Sequence, residues 1–167
     1  LVLLAQKKAH EVDQFLRGAT SAWRIVLAYG PDRGLVSERA AAIAKASGVA
    51  LDDPFSLISM SADTISEDPG RLMDEAGTLS MFGGERLIWV KGGSNDKKFV
   101  EAVRHLCENP PAGCTVLIEA DDLKKTALLR TLIEGAQAAM ALPCYSDDAR
   151  AIDRLIDEEL ANAGKGI

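Results

Sequence analysis

The sequence predicts an α/β domain built on a five-stranded parallel sheet with helices on both faces. Three observations carry that expectation. Short apolar runs recur at Trp23–Gly30, Phe55–Met60, Arg86–Val90, Thr115–Glu119 and Ala138–Cys144. Between them lie segments with apolar residues at helical spacing. Strands alternating with helices in this way give a parallel sheet whose right-handed crossovers fix most of the topology. The chain has 167 residues, 47% hydrophobic and 26% charged, enough for one such domain and a small appendage.

The first run, Trp23-Arg24-Ile25-Val26-Leu27-Ala28-Tyr29-Gly30, lacks helical spacing and suits a strand buried on both faces. A Gly30-Pro31 turn follows, and Val36, Ala40 and Ile43 then mark a helix to Ser47, with Gly48 as its C-cap. Strand, tight turn and helix is where a P-loop ATPase holds its phosphates, through G-x-x-x-x-G-K-[ST]. Counted from Gly30, the second Gly of that motif falls on Leu35 and the Lys on Val36. Only Ser37 matches, and Ser is also an ordinary helix-start residue. Val36 cannot offset phosphate charge, and Leu35 restricts the backbone of the cradle. The stretch reads as a nucleotide-binding architecture without the nucleotide, or as an unrelated strand–turn–helix.

Ala9–Leu16 is expected to form a short amphipathic helix beside the first strand. Asp53-Pro54 opens the second strand, Phe55–Met60, and Asp63–Asp68 is a polar loop. Asp68-Pro69 starts a helix with the stripe Leu72, Ala76, Leu79 and Met73 alongside. The third strand, Arg86–Val90, ends in Lys91-Gly92-Gly93, a turn like Gly83-Gly84. Ser94 or Asn95 caps a helix carrying Phe99, Val103 and Leu106, which Pro110-Pro111 breaks. After the fourth strand, Thr126 caps a helix with Leu128, Leu129, Leu132 and Ile133 on its apolar face. Beyond the fifth strand, Ser146-Asp147-Asp148 opens a last helix with the stripe Ile152, Leu155, Ile156 and Leu160. Residues 1–144 are expected to be one domain, and 145–167 the truncated start of another.

Composition excludes several function classes. A formal net charge of −6 disfavours direct nucleic-acid binding. No apolar run reaches membrane-spanning length, and Leu1–Ala5 is too short for a signal core. Leu1 is not an initiator Met, so residues are expected ahead of it. Cys107, Cys114 and Cys144 make an odd count without C-x-x-C, which fits small buried residues in a reducing cytosol. His10 and His105 are too few and too far apart for a metal site. The third strand ends in Val90-Lys91, where a P-loop enzyme needs an acid for Mg²⁺. Asp121 and Asp122 sit beside Lys124 and Lys125 and read as a solvated turn at least as well as a carboxylate pair. No catalytic residues, metal ligands or cofactor are assigned.

The anomaly is Ser80-Met81-Phe82-Gly83-Gly84. At about 100° per residue, Met81 falls roughly opposite the Leu72–Ala76–Leu79 stripe and Phe82 about 80° from it. A regular element would not bury both. Either the loop folds back and packs them on the core, or they form an exposed hydrophobic wedge of the kind that marks an interaction site.

With these features in order, the chain resembles the N-terminal part of the delta subunit of the bacterial DNA polymerase III clamp loader. The resemblance rests on Trp23–Ile43 and on Leu79-Ser80-Met81-Phe82 before an apolar strand. Asp121-Asp122-Leu123-Lys124-Lys125 and the closing helix Ala149–Ala163 extend it, so that it covers Ala9–Ile167. It implies a RecA-like AAA+ domain with a degenerate P-loop (Gly30, Leu35, Val36, Ser37), followed by the first turns of a helical lid. It further implies no ATP hydrolysis, no cofactor and no polymerase activity in the chain itself. The partners implied are the beta sliding clamp and the other loader subunits, gamma/tau and delta-prime. DNA would be met only through the assembled complex, in the cytoplasm and away from membranes. In that family the wedge enters a hydrophobic pocket of the clamp ring and springs it open. Carried over by position, Met81 and Phe82 insert, Leu79 and Ser80 lead in, and Gly83 completes the turn. Met81 stands where Leu is the common form, a change of shape a pocket accepts. The alternative from the enzyme class is a diverged P-loop NTPase or nucleotide kinase with Arg33 in place of the Lys.

Overall fold

The computed structural model describes residues 23–78 and 84–145. The first predicted helix, the last predicted helix and all of Leu79–Gly83 lie outside them. The elements run β1 (Ile25–Tyr29), α1 (Arg33–Ala46), β2 (Leu57–Ser61), α2 (Ala62–Glu67), α3 (Gly70–Gly77), β3 (Arg86–Gly93), α4 (Lys97–Glu108), β4 (Cys114–Ala120), α5 (Leu128–Gly135) and β5 (Ala139–Pro143). The five strands form one parallel sheet in the order β2-β3-β4-β1-β5.

Its two faces follow from the handedness of the crossovers. The β1-to-β2 connection crosses the sheet in one direction and all later ones in the other, so right-handed turns put α1 on one face and α2–α5 on the opposite one. The strand residues sort accordingly. Val26, Leu87, Leu117, Met140 and Leu142 pack with Ala40, Ile43 and Ala44 of α1. Ile25, Leu27, Ile88, Val116 and Ile118 pack with Ile65, Leu72, Phe99, Val103, Leu106, Leu129 and Ile133. β1 is paired on both edges and buried on both faces, so all five of its residues are apolar or aromatic. Each of Ile25, Val26 and Leu27 contributes about 1.5–3 kcal/mol by burial. Gly30 lets β1 leave the sheet beside β5, because a Cβ there would lie 2.1 Å from the Cys144 carbonyl oxygen.

Several local expectations change. The second strand begins at Leu57, not Phe55. The Asp53 side chain accepts from Phe55 N–H (3.0 Å) and Ser56 Oγ (2.7 Å), and this turn holds Phe55 outside the strand. The predicted polar loop is the helix α2, started by Ser61, whose Oγ accepts from Thr64 N–H at 3.1 Å. α3 begins one residue after Pro69, without a side-chain cap from Asp68. Gly92-Gly93 is no turn: β3 runs through it with an irregular register after Val90, Gly92 at φ +81°. Asp96, rather than Ser94 or Asn95, caps α4 by accepting from Phe99 N–H at 3.1 Å. Asn95 acts elsewhere: its Oδ1 accepts from Leu129 N–H (3.1 Å), the capping role predicted for Thr126. Leu128 is exposed, and Arg130 takes its place on the buried side of α5. The C-cap of α1 is Ser47, with Gly48 at φ +78° just beyond.

Candidate functional site

Two places could carry function, at opposite ends of the sheet. The first is the crevice outside the carboxyl ends of β1, β3 and β4, where open α/β sheets bind ligands. A cavity of about 230 Å³ lies there, lined by Arg33, Val36, Ser37, Lys91, Glu119 and Asp121 among others. Three residues separate β1 from α1, and the free N–H groups at the start of α1 would suit an anion. The chain fills that position itself. Asp32 Oδ1 accepts from Gly34 N–H at 3.0 Å and Leu35 N–H at 3.3 Å.

The other groups of the crevice are also engaged. Ser37 Oγ donates to Glu119 Oε1 at 2.8 Å, and Trp89 Nε1 donates to the other Glu119 oxygen. Val36 is buried with Ala28 and Cys144. Arg33 forks onto Asp121 at 2.8 and 3.1 Å, which raises the guanidinium pKa and ties the start of α1 to the end of β4. Both partners are exposed, so the pair contributes little to stability. The Lys91 ammonium lies 5.1 Å from the centre of the Trp89 ring. Glu119 and Asp121 balance Arg33 and Lys91 in the cavity lining, which leaves no excess positive charge for a polyphosphate. Of the residues expected here, Gly30, Leu35, Val36 and Ser37 do come together at the β1–α1 junction. Asp121 and Asp122 do not form a pair. Asp122 accepts from Tyr145 Oη at 3.4 Å, on a ring that meets Tyr29 edge-on, and the Arg130 guanidinium lies over Tyr29. Among the described residues no cluster of His, Cys, Asp and Glu suits a metal ion, and no helix is long and apolar enough to cross a membrane.

The second place is the junction of α3 and β3, at the amino end of the sheet. Leu79–Gly83 spans it and lies outside the described residues, but both its flanks are described: Gly77, Thr78, Gly84 and Glu85 are all exposed. Arg86, only 5% exposed, holds them together. Its Nη1 donates to the carbonyls of Glu75 (2.7 Å), which also accepts Thr78 N–H, and of Thr78 (3.0 Å), at the end of α3. Its Nε donates to the Phe55 carbonyl (3.2 Å) and its Nη2 to Glu75 Oε2 (3.3 Å). Glu85 extends the anchorage through Arg24, at 3.1 Å. Sequence reasoning missed Arg86, Glu119 and Arg130. The available signal was a lone charge inside an apolar run, which stays buried only when its donors or acceptors are met.

No protein-family model and no curated protein sequence matches the chain. Solved structures do. The DNA clamp loader delta protein of Bacillus subtilis superposes with a TM-score of 0.60 at 15% identity, over 81% of this chain and 42% of that one. A DNA polymerase III gamma subunit-related protein of Thermotoga maritima gives 0.58 at 10% identity, over 84% and 46%. The chain thus spans less than half the length of either protein. The fold, a five-stranded parallel sheet between helices, is shared with both of these proteins.

Proposed function

We propose that this chain is the clamp-binding part of a clamp-loader delta subunit, opening the beta sliding clamp through an exposed wedge at Leu79–Gly83. The observation that carries this reading is Asp32. Its carboxylate occupies the helix start that a working phosphate loop leaves for the nucleotide, and Glu119 adds a second negative charge to the same crevice. On this reading Gly30, Leu35, Val36 and Ser37 are the remnant of a P-loop, and the subunit neither binds nor hydrolyses ATP. The neighbouring motor subunits supply that step, and DNA is reached only through the complete loader in the cytoplasm.

The mechanism needs binding energy alone. Seating Met81 and Phe82 in an apolar pocket is worth roughly 1.5–3 kcal/mol each. That energy opens a ring only to the extent that the open form is bound more tightly than the closed one. The wedge springs from the α3–β3 junction, whose flanks Arg86 ties together, so little of the energy goes into ordering its base.

Titration of the chain with a purified sliding clamp tests the proposal. Wild type binds, Phe82→Ala loses binding while keeping its urea midpoint, and calorimetry detects no ATP binding. A Phe82→Ala variant that holds the clamp at wild-type strength refutes the wedge. Micromolar ATP affinity would favour a nucleotide-binding enzyme instead.

A further inference from the structure

From the position and exposure of Phe55 we infer a second hydrophobic anchor for the same partner, beside the wedge. The inference rests on the clamp-binding reading and extends its contact surface to the α1–β2 connection. Among the described residues the exposed large hydrophobic side chains are Leu51, Phe55 and Leu128, and the first two both belong to this connection. Phe55 is 69% exposed, the most of the three.

Its exposure is held in place. The Asp53 carboxylate accepts from Phe55 N–H and Ser56 Oγ, while the Asp53 carbonyl accepts from Ser56 N–H (3.0 Å) and Leu57 N–H (2.9 Å). The Phe55 carbonyl is bound by Arg86, the same guanidinium that holds the Thr78 carbonyl, one residue before the wedge segment begins. Phe55 and Thr78 are therefore tied through one guanidinium at the amino end of the sheet. An aromatic ring kept in solvent by a fully bonded turn, next to a segment read as inserting into a protein, is arranged for the same partner. Truncating such a pre-organised aromatic usually removes a large share of interface affinity. The occupant is the ring-shaped clamp that receives the wedge, contacted by Phe55 through apolar surface bordering the wedge pocket.

Three variants of the chain, Phe55→Ala, Phe82→Ala and Leu128→Ala, titrated with purified sliding clamp, test the inference. Leu128 follows β4 at the opposite end of the sheet and serves as the apolar control. The expectation is a loss of about tenfold or more in clamp affinity for Phe55→Ala, an unchanged urea midpoint and no effect of Leu128→Ala. If Phe82→Ala abolishes binding while Phe55→Ala binds like wild type, the second anchor is overturned and the clamp-binding reading stands. An equal loss from Leu128→Ala also overturns it, since the effect then follows apolar surface in general. If the wild-type chain fails to bind the clamp, the underlying reading falls, and the anchor with it.

Discussion

Replacing Arg86 with alanine should lower stability by about 2–4 kcal/mol, because the guanidinium satisfies three backbone carbonyls and a carboxylate from a nearly buried position. A charge-assisted bond contributes roughly 1.5–3 kcal/mol, and a buried acceptor left unmet costs about 1–3 kcal/mol. The full sum over four bonds is too large, since Phe55 and Thr78 are exposed and water can reach their carbonyls once the side chain is gone. The Glu75 carbonyl keeps Thr78 N–H as a partner (3.2 Å), so the cost is that of the lost charge-assisted bonds themselves, the shortest of them to Glu75 at 2.7 Å. Urea unfolding followed by tryptophan fluorescence, which Trp89 of the same strand reports, measures the loss at unchanged m. Arg86→Lys should recover only part of it, because an ammonium cannot reproduce the planar fork that reaches three carbonyls at once. A loss under about 0.5 kcal/mol for Arg86→Ala would show that water replaces the side chain and that the α3–β3 junction is not held by it.

Gly30→Ala should destabilise by about 3 kcal/mol or more, since the new Cβ meets the Cys144 carbonyl oxygen at 2.1 Å and β1 or β5 must shift; a thermal melt within 2 °C of wild type (a change of roughly 0.5 kcal/mol) would contradict this contact. Burial pushes the Cys107 and Cys114 thiols up to about 11 from an ordinary 9.0. Because the folded state keeps these protons more tightly than the unfolded chain, their linkage to stability is constant below pH 9 and costs stability as pH rises from 9 towards 11. Both thiols should accordingly react slowly with iodoacetamide at pH 8 and the urea midpoint should fall over that alkaline range, more so than in a Cys107→Ala, Cys114→Ala variant.

The sheet and the identities of most core residues were legible in the sequence, and the reason is periodicity. A strand buried on both faces, such as Ile25–Tyr29, has no polar position to disguise it, and α4 places Phe99, Val103 and Leu106 on one stripe. The mismatch of Leu35 and Val36 with a phosphate loop was equally plain from spacing. Caps and short elements were less legible, since Ser61, Asp96 and Asn95 compete for backbone partners that only neighbouring segments select. α2 is six residues long and carries Asp63, Thr64, Ser66 and Glu67, so its composition resembles a loop while its helix exists by the Ser61 cap and the burial of Ile65.

What the sequence by itself determined, then, was the alternation of strands and helices, the apolar faces that sandwich the sheet, and the departure of Leu35 and Val36 from the G-x-x-x-x-G-K-[ST] spacing. Tertiary structure alone decided that Glu119 receives Ser37 and Trp89 in the crevice, and that Arg86 joins Phe55 to the end of α3, 31 residues away in one bond and 11 and 8 in the others. The physical reason is range. Periodic burial is written in neighbours a turn or a pleat apart, whereas a charge is satisfied by whichever carbonyls or amides the crossovers bring beside it, and their sequence separation leaves no local pattern.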